Sequence, residues 1–401
     1  MTQSARPLDG IRVLEVGQLL AGPFVGHMLG YYGAEVIKVE APGVGDPIRK
    51  WRVLGEDGTS HWWRSLGRNK KCITANLRSA EGRDLVRRLA EKCDVFTENF
   101  RPGVMESWGL GPDDFKESNP GLIYSRISGY GQDGPYASKP GFASVCEGFG
   151  GFRYVNGFPG EAPVRANLSI GDTLAGLHAV IGILMACVHR MKSPANTGQV
   201  VDTALFEAVF NVLEGVVPEY DGGGVVREPS GTTITGIVPT NTYRCADGKF
   251  IIIGANGESI FKRLCETMGR PDMAEDPRFA GNAGRVEHEA ELDSIITGWT
   301  GSMNADTALQ LLQDSRVPSG PIYSVADMMT DEHYQARGLF EEVDVNGRKL
   351  KIPALVPKLS ETPGRTDWAG PEVGAFNDEI YQDLLGLSAQ EMARLSEQGV
   401  I

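Results

Sequence analysis

The sequence predicts an α/β fold built on a parallel sheet, and three observations predict it. Strand-type and helix-type patterns alternate over the first 125 residues of the 401-residue chain, as they do where helical crossovers join parallel strands. A long run of small and apolar residues, Leu174–Val188, reads as a helix buried on every face rather than on one stripe. Near residue 218 the pattern gives way to a Gly-rich stretch, which marks a boundary before a smaller α+β region.

Each element follows from local residues. Ile11–Val16 is a short β-type run. Gly22–Tyr31 is a helix with Pro23 in its first turn, where proline is favoured. Glu35–Glu40 (EVIKVE) is the next strand, and GRNKKC, carrying Arg68, Lys70 and Lys71, leads into another. Ser79–Lys92 is an amphipathic helix that Ser79 is placed to cap. Asp94–Thr97 and Leu122–Ile127 are further strands. Ile127–Phe142 holds too much Gly and Pro for a regular element. After the apolar helix, Gln199–Thr203 and Leu205–Val217 add a strand and a helix. Tyr220–Thr233 is the Gly-rich boundary. Beyond it come the strand Lys249–Ile253, the turn GANGES (Gly254–Ser259), and helices at Ile260–Met268, Glu289–Trp299 and Ala305–Gln313. Pro318–Tyr323 closes this region. Arg348–Pro353 is a strand, and Ser388–Gln398 a terminal helix.

Composition narrows the function. A formal net charge of −13 argues against nucleic acid or a membrane surface as partner, while leaving room for a local basic site. Six scattered cysteines without a CxxC pair suit reduced thiols in a cytoplasm. The opening MTQSARPLDG has no apolar signal core, and Leu174–Val188 is shorter than the ~20 residues that span a membrane. The expectation is a cytoplasmic, soluble protein. The six histidines show no HExxH spacing and there is no GxSxG, so neither a metal site nor a serine nucleophile is expected.

Four places carry candidate chemistry. Asp172 stands at the mouth of the apolar helix; it is either an N-cap, for which Asp is preferred, or a catalytic carboxylate stabilised by the helix N-terminus. The loop Glu15–Gly26 lies between a strand and a helix, where doubly wound folds bind ligands, but it lacks GxGxxG. Lys70 with its basic neighbours, and Arg101 in ENFRPG, sit at successive strand ends; they either bracket phosphates or form a solvated surface. GANGES either aims amides at a developing oxyanion or is a plain strand-to-helix turn.

These segments, in order, resemble the class III CoA-transferase (CaiB/BaiF) family. The match runs through LDGIRVLEVGQLLAGPF, GAEVIKVEAPGVGDPIR, RNKK, ENFRPG, SGYGQDGPY, SIGDTLAG and GQVVDTALFEA. The resemblance implies that Asp172 is the nucleophile and passes through an aspartyl anhydride and an aspartyl-CoA thioester. It places Gln18, Leu19, Leu20 and Ala21 along the pantetheine arm of CoA. Lys70, Asn99, Phe100 and Arg101 fall near its nucleotide, and Gly254, Asn256 and Gly257 in a loop covering the aspartate. It implies no metal and no prosthetic group, with a CoA thioester as substrate and a small carboxylic acid as its partner. It also implies an interlocked homodimer. Each chain then has a Rossmann-like large domain from both chain ends (1–218 and 330–401), a small α+β domain (225–325), and linkers at 219–224 and 326–329.

Two departures stand out. Ser107 occupies a position where many members have Arg, and Ala143 one where many have an acidic residue; Glu147 is the nearby carboxylate. EGFGGFRYVNG together with SIGD resembles members that use small dicarboxylic acids, succinyl-CoA among the donors. Arg153 and Arg165 are then candidates for the distal carboxylate, or else surface or ion-pair residues. The rival readings are a 2-methylacyl-CoA racemase and a non-enzymatic CoA-binding scaffold. A racemase of this family uses a His in the segment 139–147, where this chain has none.

Overall fold

The computed structural model describes residues 5–401, and these form an α/β fold of two compact units. The larger holds residues up to Phe152, Ala166–Glu214 and Gln335–Ile401; the smaller holds Arg153–Arg165 and Gly215–Tyr334. Residues 153–165, expected in the large domain, cluster with the small unit.

The large unit runs β1 (Arg12–Glu15), α1 (Ala21–Tyr31), β2 (Glu35–Glu40), α2 (His61–Leu66), β3 (Lys70–Thr74), α3 (Ala80–Ala90), β4 (Val95–Glu98), α4 (Val104–Ser107), β5 (Ile123–Ser128), α5 (Ala143–Phe149), α6 (Ile170–Lys192), β6 (Val200–Ala204) and α7 (Leu205–Phe210). The six strands are parallel in the order β3-β2-β1-β4-β5-β6. The chain works outward from β1 to β3, then returns to lay β4 on the other side of β1. The loops after β1 and β4 therefore diverge and leave a crevice at the strands' carboxyl ends, the place where such sheets bind ligands.

Side chains alternate across this sheet. Leu14, Ile37, Phe96 and Tyr124 pack with Leu85 and Leu89 of α3 and with Tyr381 and Leu395 from the C-terminal segment. Val13, Val36, Val95 and Ile123 pack with α1 and with Ala175, Ala179 and Ile183 of α6. Both faces are covered, as a parallel sheet requires. Ser79 caps α3 by accepting the Gly82 N–H at 3.0 Å.

The apolar helix departs from expectation in two ways. It is 23 residues long, longer than its apolar run, because the mixed segments Ile170–Thr173 and His189–Lys192, which carry its charged residues, extend it at both ends. By length and composition it is able to cross a membrane, which removes the length argument; its packing against α1, α7, β5 and β6 is that of a core helix. Nor is it buried all round. Ile181, Leu184, Met185, Val188 and Met191 form an exposed stripe, Met185 at 67%.

The expected helix Leu205–Val217 is broken. Glu214 adopts φ +52°, α7 stops at Phe210, and a new helix α8 (Val216–Gly223) occupies part of the expected boundary. The small unit continues with β7 (Thr240–Arg244), β8 (Phe250–Gly254), α9 (Glu258–Thr267), α10 (Gly281–Glu287), α11 (Glu289–Thr300), α12 (Ala305–Asp314) and β9 (Ser319–Pro321). Its antiparallel sheet is ordered β7-β8-β9. Back in the large unit, β10 (Phe340–Val345) and β11 (Arg348–Pro353) form a hairpin.

Candidate active site

The crevice between β1 and β4 is lined by Gln18, Leu19, Leu20 and Ala21 from the first loop and by Asn99, Phe100, Arg101 and Pro102 from the second. Lys139 to Ala143, Leu205 and Asp172 close it, around about 200 Å³. The topology accounts for the meeting: two loops at the switch point face the N-terminus of α6, which packs over β5 and β6.

The first loop is held from beneath by buried charges. Lys38 reaches Glu15 at 3.0 Å and Asp46 at 2.9 Å, and Lys70 reaches Glu15 at 2.8 Å. Two ammoniums and two carboxylates balance, and such a cluster is tolerable in a dry interior only when paired. Burial pulls the Lys38 pKa down, but Asp46, Glu15 and Glu40 together outweigh it and raise it. Burial pushes Asp46 up, and Lys38 reverses that to hold it below the usual range. The network grips backbone as well. Lys38 donates to the Gly17 carbonyl at 3.0 Å, Lys70 to the Pro23 carbonyl at 2.6 Å, and Asp46 accepts the Leu19 N–H at 3.1 Å. Leu19 is thereby kept at φ +66°, a left-handed conformation that costs a non-glycine residue energy and persists only when its surroundings impose it. A Cβ on Gly26 would lie 1.9 Å from Glu15 Oε2, so the helix carries glycine there to admit the carboxylate.

The second loop is tied to the first by Asn99, whose side chain sits on Gly17 and Gly22. Just before it, buried Glu98 accepts the Phe100 N–H at 2.7 Å and the Arg126 guanidinium at 3.0 Å. Burial drives Glu98 up to about 7, against those two hydrogen bonds. Arg101 is exposed. At Ser107 the hydroxyl only donates to the Val104 carbonyl. Lys139, not singled out from the sequence, is a second cation on the cleft; its place in the Gly- and Pro-rich loop Ile127–Phe142 was the available signal.

Asp172 is half-buried in the first turn of α6. It is not the N-cap; that position is Ser169, whose side chain makes no capping bond. The amide of Gly171 donates instead to Glu147 Oε1 at 3.2 Å. A carboxylate in a helix's first turn is stabilised by the free amides and the macrodipole, while its exposed side faces the cleft.

Lys70, expected near the nucleotide, lies beneath the cleft instead. Its side chain is 0% exposed, enclosed by Glu15 and the Pro23 carbonyl, so it supports the loop and offers nothing to a nucleotide. Arg68, on Glu341 and Thr366, and Lys71, on Glu35 and Glu379, are likewise taken up. In the small unit, the Gly254–Gly257 turn is pinned by buried Arg285. That side chain donates to the Asn256 carbonyl at 2.6 Å and to Glu258 at 2.7 Å. Nothing lies within 4 Å of a Cβ built on Gly254. Arg153 is half-buried and Arg165 exposed, both in the segment that clusters with the small unit, and both have interaction partners.

The sequence profile of CoA-transferase family III matches residues 8–377. A succinyl-CoA–D-citramalate CoA-transferase of Chloroflexus aurantiacus is 47% identical over 397 residues, covering 99% of this chain and 98% of its own. The alpha subunit of a succinyl-CoA–L-malate CoA-transferase of Chloroflexus aurantiacus is 40% identical over 402 residues, covering 100% of this chain and 94% of its own. The crystal structure of a CAIB/BAIF family protein from Brucella suis superposes with a TM-score of 0.84 at 34% identity, covering 95% of this chain and 100% of that one.

Proposed function

The chain belongs to CoA-transferase family III, and from that premise we propose that it moves CoA from succinyl-CoA, or a similar dicarboxylic acyl-CoA, to a second small acid through acylated Asp172. That it is a CoA-transferase follows from the family and the relatives. The choice of dicarboxylic substrates rests on relatives named for succinyl-CoA with citramalate or malate. The observation that carries the reading is the position of Asp172, in a helix's first turn and on the same cleft as Gln18–Ala21 and Asn99–Arg101.

The Asp172 carboxylate attacks the thioester carbonyl, the C–S bond breaks, and CoA leaves as thiolate with a mixed anhydride formed. The thiolate attacks the aspartyl carbonyl, expelling the donor acid as carboxylate and leaving an aspartyl-CoA thioester. The acceptor carboxylate attacks that thioester and frees the thiolate again. Attack of the thiolate on the acceptor's acyl carbon gives the new acyl-CoA and restores Asp172. Each step trades one activated acyl bond for another, so no proton is consumed overall. In this reading Gln18–Ala21 flank the pantetheine arm. Asn99 and Phe100 lie near the nucleotide, and Arg101 and Lys139 supply cations for its phosphates. Arg153 and Arg165 are retained as candidates for the distal carboxylate. A racemase reading has less support, because Asp172 shares its cleft with Phe142 and with no histidine among the described residues.

The exposed apolar stripe of α6 supports a homodimer, with a second copy covering it. A cytoplasmic setting is kept as part of the proposal, resting on six unpaired, buried thiols.

The test is to incubate the protein with succinyl-CoA and a panel of mono- and dicarboxylic acids and read the products by mass. We expect transfer to dicarboxylates, and a hydroxamate at residue 172 when hydroxylamine is added during turnover. Undiminished transfer by Asp172→Ala would end the reading. Transfer only to monocarboxylates would end its dicarboxylate part.

A further inference from the structure

The N-terminus of α6 is served by two carboxylates, and only one has been given a task. Asp172 is on its first turn. Glu147 approaches from α5, is 2% exposed, and accepts the Gly171 N–H at 3.2 Å. We propose that Glu147 is a positioning residue for the transfer reaction, fixing the amide next to Asp172 so that the aspartate keeps one orientation through its free and acylated states. The inference rests on the reading of Asp172 as the acylated group.

The local geometry is built for this contact. Ala143 and Glu147 are four residues apart, so they share a face of α5. A Cβ on Gly171 would lie 3.2 Å from Ala143 Cβ and 3.2 Å from Glu147 Cγ. Glycine on α6 and alanine on α5 let the two helices close until the carboxylate reaches the amide. Cys146, between them in sequence, donates its thiol to the Gly129 carbonyl at 3.2 Å and so ties α5 to the loop after β5. Burial pushes that thiol up to about 11, with the charges of Asp172 and Glu147 adding to it, which sets both carboxylates in one neighbourhood.

The chemistry explains why a second anchor matters. A helix start leaves its first amides without intrahelical acceptors, and Ser169 caps none of them through its side chain. While Asp172 is an anion it helps to satisfy that end. Once it is an anhydride or a thioester, its charge is gone and that help weakens. Glu147 is not consumed at any step, so the Gly171 amide stays engaged while Asp172 changes its covalent state. A nucleophile that shifts by about 1 Å between steps loses on the order of a hundredfold in rate.

The test compares Glu147→Ala with Glu147→Gln in the full-length protein, using succinyl-CoA and whichever acid the wild type accepts. Gln keeps an acceptor oxygen at the same reach; Ala removes it. We expect Glu147→Ala to lower kcat by about tenfold or more, leave KM for succinyl-CoA within about twofold, and lose hydrogen-exchange protection at Gly171. Glu147→Gln is expected to recover most of kcat and of that protection. A purely structural role would lower soluble yield and thermal midpoint without the split between kcat and KM. Wild-type kcat in the Ala variant, or Gln performing no better than Ala, overturns the inference. If the wild type itself never yields a labelled Asp172, the underlying reading falls and takes this inference with it. A labelled wild type with an equally active Ala variant removes this inference alone.

Discussion

The side-chain amide of Asn99 closes on the backbone of Gln18 from both sides: Oδ1 accepts the Gln18 N–H and Nδ2 donates to the Gln18 carbonyl, each at 2.8 Å. One residue thus locks the loop after β4 to the loop after β1, across the crevice where the cofactor-like substrate is proposed to lie. Each bond is worth about 0.5–1.5 kcal/mol. Asn99→Ala removes both and opens space above Gly17 and Gly22. KM for the acyl-CoA should rise by about tenfold, equivalent to ~1.4 kcal/mol, with kcat nearly unchanged. Steady-state kinetics at saturating acceptor acid will decide. A fall in kcat at constant KM would show that the clamp serves the chemical steps instead.

Arg101 and Lys139 test the nucleotide end of the cleft. A charge-assisted contact to phosphate contributes about 1.5–3 kcal/mol, and contacts near solvent weaken with salt. Arg101→Gln should raise KM for succinyl-CoA by about tenfold at low salt and flatten the dependence of KM on ionic strength. Succinyl-pantetheine, which lacks the nucleotide, should be handled equally by wild type and variant. A matching loss with the truncated substrate would place Arg101 elsewhere in the reaction.

Much of this arrangement is local in sequence and was readable there; the rest is not. The strand–helix alternation, Ser79 as a cap and the first-turn place of Asp172 depend on neighbours a few residues away. The role of Lys70 depends on Glu15, 55 residues earlier, and no spacing rule connects them. A Lys in a basic run reads as surface until the sheet brings β3 beside β2 and α1 above them. Glu147 meets Gly171 across 24 residues, again through helix packing rather than pattern. The exposed stripe of α6 was missed for a different reason: apolar composition says that a face is to be covered, not that the same chain covers it.

Asp46 sets the stability of the first loop. Replacing it with Asn leaves Lys38 and Lys70 sharing the single carboxylate of Glu15 and weakens the hold on Leu19 N–H. Breaking one member of a buried ion pair costs about 3–5 kcal/mol. Urea unfolding of Asp46→Asn should show a loss of that order at neutral pH. Because Asp46 is held below its ordinary pKa in the fold, its contribution is present above the unfolded value and lost as pH falls. The gap between wild type and variant should therefore narrow on acidification. A gap that widens would contradict the assigned pairing.

Glu98 gives the opposite pH dependence. Its folded value is about 7, above that of a carboxylate in an unfolded chain, so the folded state binds the extra proton between about 4.3 and that value. Stability from this group is full below the unfolded value and declines as pH rises through 7. Glu98→Gln removes the titration while keeping an acceptor for the Phe100 N–H. The difference in thermal midpoint, wild type minus variant, should fall between pH 5 and pH 8. A flat difference would mean that Arg126 keeps Glu98 ionised throughout.

The outer face of α6 is apolar and exposed. Ile181, Met185 and Val188 are spaced four and three apart, with Leu184 and Met191 beside them, so they form one stripe along the helix. On a lone chain this stripe meets water, although its opposite side is buried against α1 and the sheet. Apolar helices of this kind stay in solution by covering such a face, and a second copy is the occupant proposed here. An aspartate placed in a dry interface costs several kcal/mol unless paired. Met185→Asp should therefore move the sedimentation coefficient of the purified protein from dimer to monomer and reduce transfer activity in step. Circular dichroism of the helix should be retained, because Met185 is mostly exposed and is not among the core residues of α6. A wild type that sediments as a monomer at micromolar concentration would rule out the homodimer and leave the stripe for another partner.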